Sequence, residues 1–300
     1  MQRISFYDQI GRNKRNSFLL VLPITAVVVV LLYVIGYFFA PDFAIFIVIF
    51  GVIWMALQAL VSFKYGDRAV LSVMKAKPAD PVKHVYLINT VEGLSLAAGI
   101  PAPKAYVIES NEINAFAVGS DPQHASIGVT TGALESLNRA ELEGVIGHEI
   151  SHVRNYDIRF MTMIAVFVGF AAILSFLILR SFWFAGRSNQ RDSRGGGAVV
   201  ILLIVGVFLA IFAPIVTRLV QATISRKREY MADASSVQLT RYPEGLASAL
   251  EKIKDKNSGK MDVSESISHL FISDPKMSAL DNLFATHPPL SERIKVLRQM

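Results

Sequence analysis

Apolar residues in this chain are gathered into four uninterrupted runs, and polar sequence fills the spaces between them. Residues 18–40 and 43–63 contain no charged side chain and are separated only by Pro41 and Asp42. A helix needs about 20 apolar residues to cross the hydrocarbon core, so these runs predict two membrane-spanning helices joined by a tight turn. Pro23 falls near the start of the first run, where a helix tolerates proline best. A cleaved signal peptide has an apolar region of about 7–15 residues, shorter than this run, and no second span directly behind it. Two further runs, 160–179 and 198–216, are each just long enough to span. The alternative for this second pair is two buried core helices, and Pro214 lies inside the latter run.

The polar sequence falls into two parts that flank the second pair of runs, so they lie on one side of a membrane and can form a single domain. The divisions expected are a tail at 1–17, a first hairpin at 18–63, a polar part at 64–159, a second hairpin at 160–220 and a second polar part at 221–300. Within the polar parts, 106–109 and 125–130 read as short strands. Asn138 followed by Glu141 has the form of a capping box, and Leu142, Val145, Ile146, Ile150 and Val153 behind it recur as one helical face. The turn-rich stretch 254–262 reads as a linker.

Composition agrees with this division. Of the 300 residues, 52% are hydrophobic and 18% charged, against about 25% charged in an average chain. That excludes a disordered chain and disfavours a purely water-soluble one. There is no cysteine, which excludes disulfides, thiolate metal sites and a cysteine nucleophile. The net charge of +6 is placed at the ends of the runs. Arg3, Arg12, Lys14 and Arg15 precede the first, Lys64, Arg68, Lys75 and Lys77 follow the second, and Arg218, Arg226, Lys227 and Arg228 follow the fourth. By the positive-inside rule the tail and both polar parts face the cytosol, so the charge reflects orientation and not nucleic-acid binding. The connection 180–197 dissents, since Arg180, Arg187, Arg191 and Arg194 would stand outside if the second pair spans. Either the first spans dominate or the second pair only dips into the membrane.

The helix begun at Asn138 carries His148, Glu149 and His152 in the sequence GHEISH. Histidines four apart stand one above the other on a helix, so both imidazoles can bind one metal ion. Glu149 is one step around the helix, close enough to act on a water at the metal without filling a coordination position. Zinc lowers the pKa of such a water towards neutrality, and a carboxylate base completes the chemistry of carbonyl hydrolysis. A third ligand is required, and cysteine is excluded. Glu229 and Asp233, in SRKREYMADASSV, share a helical face, so one can bind the metal while the other orients a ligand imidazole.

HEISHVRNYD together with EYMADA resembles the HtpX family of membrane-integrated zinc metalloproteases, gluzincin-like relatives of the CAAX prenyl endopeptidases. NEINAFAVG at 111–119, the approach sequence VTTGALESLNRAELEGVIGHE and THPPLSERI at 286–294 resemble the family's other motifs in the same order, so the similarity covers the whole chain. It implies one zinc ion per chain, bound by His148, His152 and Glu229, with Glu149 as general base and acid and Asp233 beside a ligand histidine. His287 and Arg293 would face the cleft, to stabilise the carbonyl oxygen or orient substrate. Asn155 and Asp157 match the continuation of the zinc helix, with no role assigned.

Asn114, Ala115, Phe116 and Ala117 lie between the two expected strands, where a sheet edge beside the metal could pair with an extended substrate backbone. The fold class expected is a polytopic α-helical membrane protein, four hydrophobic helices in two hairpins, with a mainly helical α+β, zincin-like catalytic domain carrying a small sheet. The resemblance implies a multi-pass protein of the cell (inner) membrane with its active site towards the cytoplasm. Its partners would be unfolded or damaged membrane-protein substrates, the lipid bilayer and membrane quality-control proteases. Two rival classes share parts of the pattern: a CAAX-type prenyl protease, which would want seven spans, and a zinc-binding transporter or sensor, which would want polar residues inside the spans.

Overall fold

The computed structural model describes residues 41–166, 226–259, 265–273 and 288–300, with single positions 29, 33, 37, 168, 169, 176, 180, 261 and 263. Apart from those positions, the first apolar run, the fourth and the arginine-bearing connection 180–197 lie outside the described residues. So does His287. The expected pairing into two hairpins therefore falls outside them as well.

Helix α1 (Ala44–Val73) follows a 3-10 turn at Pro41–Phe43. Among the described residues it is the one helix long and apolar enough to cross a membrane. Phe46, Phe50, Leu60 and Phe63 stand exposed along it, the arrangement expected of a lipid-facing surface. The helix continues ten residues beyond position 63, and Val70 and Leu71 in that extension are buried. They pack with Phe160, Met161, Ile164, Ala165 and Val168 in one apolar cluster. The first turns of the run 160–179 are thus part of the domain core, and the boundary expected at position 160 does not mark a change of surroundings. An apolar run reads the same whether lipid or protein covers it.

The sheet has four strands: β1 (Lys77–Pro78), β2 (Lys104–Ile108), β3 (Ala115–Gly119) and β4 (Ala125–Thr130). Their order is β1-β2-β4-β3, with β2 and β4 parallel and β3 antiparallel to β4 in the register Ala115↔Val129, Ala117↔Ile127. Every residue of β3 and β4 is buried, because both faces of the sheet are covered. Alternate side chains therefore enter two cores, Ala115 and Ala117 one and Phe116 and Val118 the other.

Around the sheet lie α2 (Val85–Ala98), α3 (Thr131–Ser136), α4 (Arg139–Arg154), α5 (Arg226–Thr240), α6 (Pro243–Lys256), the single turn α7 (Glu265–Ser268) and α8 (Leu290–Leu297). The domain is mostly helical with a small sheet, as the sequence pattern predicts. Helix α4 is its axis, packed against α2, α5, α6 and β3. Both halves of its capping box are formed: the Asn138 side chain accepts from the Glu141 amide, and the Glu141 carboxylate accepts from the Asn138 amide. All five residues of the expected apolar face are buried.

The opposite side of α4 approaches α5 and α6 closely enough to exclude side chains. A Cβ on Gly144 would lie 2.6 Å from the Leu246 amide nitrogen and 2.8 Å from its Cα, both backbone atoms that cannot swing aside. Gly144→Ala should therefore cost about 1–3 kcal/mol, read as a lowered melting temperature of the detergent-solubilised protein. Gly93→Ala, in a helix with nothing within 4 Å of the new methyl, should stabilise by up to about 1 kcal/mol through helix propensity. Equal effects of the two would show that close approach at Gly144 is not required.

Candidate metal centre

Three buried side chains from two helices converge on one point. Helix α4 presents His148 and His152 one turn apart, and α5 lays Glu229 and Asp233, also one turn apart, against them. The His148 and His152 Nε2 atoms are 3.1 Å from each other, and each is 3.6 Å from an oxygen of Glu229. One ligand atom from each of the three lies within 4.8 Å of the other two. The Ser236 hydroxyl donates to the Gly144 carbonyl at 2.6 Å and fixes how α5 sits on α4.

The other imidazole nitrogens decide the orientation. His148 Nδ1 is 2.9 Å from Asp233 Oδ1, and His152 Nδ1 is 3.2 Å from Asp157 Oδ2. An ionised carboxylate only accepts, so each Nδ1 carries the proton and each Nε2 turns its lone pair inward. Two such lone pairs 3.1 Å apart repel unless a proton or a metal ion lies between them. Each aspartate is held in turn by an arginine. Arg293 donates from Nη2 and Nε to Asp233 at 2.6 and 2.9 Å, and Arg228 Nη1 donates to Asp157 Oδ1 at 3.4 Å.

The charge balance points the same way. Glu149, Asp157, Glu229 and Asp233 are all buried here, and two guanidiniums, Arg293 and Arg228, face them. With neutral imidazoles these six groups alone sum to a charge of −2, which one divalent cation would balance. The proton affinities report the same field. Burial works against the His148 imidazolium, yet Asp233 and Glu229 hold its pKa up at about 9. His152 is raised against its burial by Asp157 and Glu229. Burial pushes the Asp233 carboxyl up, but Arg293 and His148 bring it down to about 2. Two imidazoles and a carboxylate, with the outer nitrogens already occupied, form a donor set suited to a catalytic divalent metal.

Glu149, one step around α4 from His148, is buried and contributes with Asp233 and Glu229 to keeping Arg293 charged. Arg293 itself is 0% exposed. Its Nη1 donates to the Ile272 carbonyl at 3.1 Å and stands 3.7 Å from Glu229. The sequence reading has it facing a substrate cleft; in the structure its donors are committed to Asp233 and Ile272, because a charge this deeply buried needs an ionic partner.

The β3 edge also differs from expectation. Phe116 forms an antiparallel bridge with Phe271, the Ile272 amide donates to the Ala115 carbonyl at 3.0 Å, and Asn114 Nδ2 donates to the Ser273 carbonyl at 3.1 Å. The outer side of Ala115–Phe116 is thus paired within the chain. Phe271 and Ile272 are each 1% exposed, so a substrate backbone could join here only by expelling two core side chains.

Asp157 and Arg228 are the residues whose roles sequence reasoning missed. Asp157 follows a turn in which Tyr156 takes the left-handed conformation (φ 60°), which a non-glycine residue adopts at a cost of about 1 kcal/mol. That turn brings the aspartate back onto the histidine five positions earlier. Asn155 closes the end of α4, its amide donating to the Ser151 carbonyl at 3.0 Å. The other described histidines bond elsewhere: His84 Nδ1 accepts from the Asp80 amide, His124 Nδ1 pairs with Asp121, and His269 Nε2 is 3.1 Å from the Met161 carbonyl.

Residues 81–300 match the family description "Peptidase family M48". The chain is 43% identical over its full length to "Protease HtpX homolog" of Thermoanaerobacter pseudethanolicus, covering 99% of that protein. It is 38% identical over 98% of its length to "Protease HtpX homolog" of Streptococcus uberis, again covering 99%. In three dimensions it is similar to the crystal structure of Ste24p from S. mikatae, with a TM-score of 0.52 at 20% sequence identity, over 95% of this chain and 66% of the other. At that identity the likeness concerns the fold alone.

The clamp on His148 can be tested without an activity assay. Asp233→Asn removes the charge that balances buried Arg293, which should lower stability by about 3–5 kcal/mol. It should also weaken divalent-metal binding about 10–100-fold, measured by titration against a competing chelator. Unchanged metal affinity would show that His148 is oriented by something else.

Proposed function

The chain belongs to peptidase family M48, among the HtpX proteases, and is a metallopeptidase of membranes; from that premise we propose that it is a multi-pass zinc endopeptidase cleaving misfolded or damaged membrane proteins. The observation that carries the reading is the convergence of His148, His152 and Glu229 on one point, with a ligand atom of each within 4.8 Å of the others. Zinc is the metal that two imidazoles and one carboxylate suit best when a coordination position is kept open. When bound there it supplies Lewis acidity, polarising a carbonyl and making water acidic near neutral pH.

The chain's own residues do the rest. Asp233 and Asp157 hold the ligand imidazoles in the tautomer that directs Nε2 inward, while Arg293 and Arg228 hold the two aspartates in place. Glu149 takes the proton from the attacking water and returns it to the leaving amine as the peptide bond breaks. The almost complete burial of the site excludes bulk water and strengthens each of these interactions. Arg293, one step further out, fixes Asp233 and offsets the carboxylates.

Four hydrophobic helices in two hairpins, with both polar parts on the cytoplasmic side of the cell (inner) membrane, are supported by the four apolar runs and by the basic residues flanking them. The lipid-facing surface of α1 supports the first hairpin.

Two substitutions separate ligand from base. Glu149→Gln should retain one zinc per chain and lose at least about 10²–10⁴-fold in peptide hydrolysis. Glu229→Ala should lose the zinc itself. Metal content by mass spectrometry beside proteolysis of an unfolded membrane protein in liposomes reads both. Proteolysis by purified Glu149→Gln at the wild-type rate would sink the mechanism.

A further inference from the structure

The geometry points to a narrower substrate class for this site: unfolded segments directly beside a membrane span, cut within about 20 Å of the hydrocarbon edge. The inference rests on the peptidase reading above and concerns where along a membrane protein the site can act.

Helix α1 sets the position of the edge. Its exposed apolar surface runs from Phe43 to Phe63, a rise of about 30 Å, which is the thickness of a hydrocarbon core. The first charges on the helix come next, at Lys64, Asp67 and Arg68. Between the cations lies Tyr65, with Lys64 Nζ 5.4 Å and the Arg68 guanidinium 5.8 Å from its ring centre. Aromatic and basic side chains together mark the membrane–water boundary.

The metal centre can be levelled against that boundary through the helical segment 157–166. A Cβ on Gly66 would lie 2.9 Å from Thr162 Cγ2, so Thr162 stands at the height of Gly66, two residues beyond Lys64. Asp157 is five residues from Thr162, about 7.5 Å along the helix. Its Oδ2 is 3.2 Å from His152 Nδ1. Adding the rise from Phe63 to Gly66, the Asp157 side chain and the width of the ring, the far nitrogen, a candidate metal ligand, is within about 20 Å of the hydrocarbon edge.

Independent contacts agree on this height. The Arg159 guanidinium lies 5.1 Å from the ring centre of Phe63, the last apolar residue of the lipid-facing run, and its Nε donates to the Ser120 carbonyl at 2.6 Å. The Gly119 amide, at the end of β3, donates to Thr162 Oγ1 at 3.0 Å. The strand beside the metal helix thus ends at the level of the boundary. Of the three ligand side chains His152 is the most accessible, 8% against 1% for His148 and 0% for Glu229, and it is the one bonded to the element that descends to the membrane.

An extended backbone advances about 3.3 Å per residue. A segment leaving the bilayer therefore reaches the metal after roughly three to six residues. Its span supplies a high effective concentration, which falls as the intervening chain lengthens.

The test uses the full-length, zinc-loaded chain in liposomes with two single-span substrates carrying the same unfolded segment. In one the segment follows the span directly, and in the other a stable folded domain of about 40 Å separates them, well beyond the reach of the site. A soluble unfolded polypeptide is the third substrate. We expect the first to be cut at least about 10-fold faster than the others, with cleavage sites by mass spectrometry within the first half-dozen residues after the span. Equal rates for all three, or cuts spread through the distal segment, would overturn the inference and leave the peptidase reading standing. If none of the three is cut, the peptidase reading fails and this inference with it.

Discussion

Four carboxylates gathered in a dry interior persist only if positive charge is brought to them, and the architecture of this domain follows from meeting that need. Two guanidiniums are built in, Arg228 from α5 and Arg293 from α8, and a divalent cation bound at His148, His152 and Glu229 would add to them. Neither arginine is optional in this scheme. Removing one partner of a buried ion pair leaves the other charge without compensation, at a cost comparable to much of a domain's net stability. The last helix of the chain is therefore bound into the site chemically, and Arg298 adds a surface clamp to Glu244 and Glu251 on α6.

The same requirement explains the tight helix packing. For Glu229 to stand 3.6 Å from two imidazoles, α5 must lie close against α4, and Gly144 and Gly147 remove the side chains that would hold α5 and α6 off. The capping box at Asn138 starts α4 at a defined residue, and Lys252 on α6 ties Glu141 of that box at 2.7 Å. The left-handed turn at Tyr156 ends the helix and returns Asp157 to it. Beginning, packing face and end of the metal helix are each set by a separate local device, so both histidines point at the same place.

The relation between membrane and chemistry is equally direct. Helix α1 does not stop where its apolar run stops; it passes into the domain, where Val70 and Leu71 share a core with Phe160, Met161 and Ile164. Peptide chemistry in a hydrocarbon medium would leave backbone groups unsatisfied. A centre within about 20 Å of the edge, as inferred above, would keep the reaction outside the hydrocarbon while remaining within reach of a span. The pairing of β3 with residues 271–273 satisfies an edge strand that would otherwise present bare backbone groups.

Local patterns were legible in the sequence because their causes are local. Spacing by four places His148 over His152 and Glu229 over Asp233 on any helix, and the run from Leu142 to Val153 predicts which face is buried. Twenty-one uncharged residues between Asp42 and Lys64 predict a lipid-facing helix at 43–63. What the sequence could not determine depends on partners far along the chain. Position 160 begins an apolar run in either setting, and only its packing against α1 makes it core. Asp157 and Arg228 are ordinary charged residues until a turn and an inter-helix contact set them against His152. Arg293 is separated from Asp233 by 60 positions, and no periodicity connects them. The sequence by itself determined helix α4 with its two stacked histidines, the acid pair of α5 and the long apolar helix α1, because each arises from neighbours within a few turns. The tertiary structure alone decided which charges neutralise one another, which strand edge is closed and which part of an apolar run is core, because electrostatics and burial act through space and not along the chain.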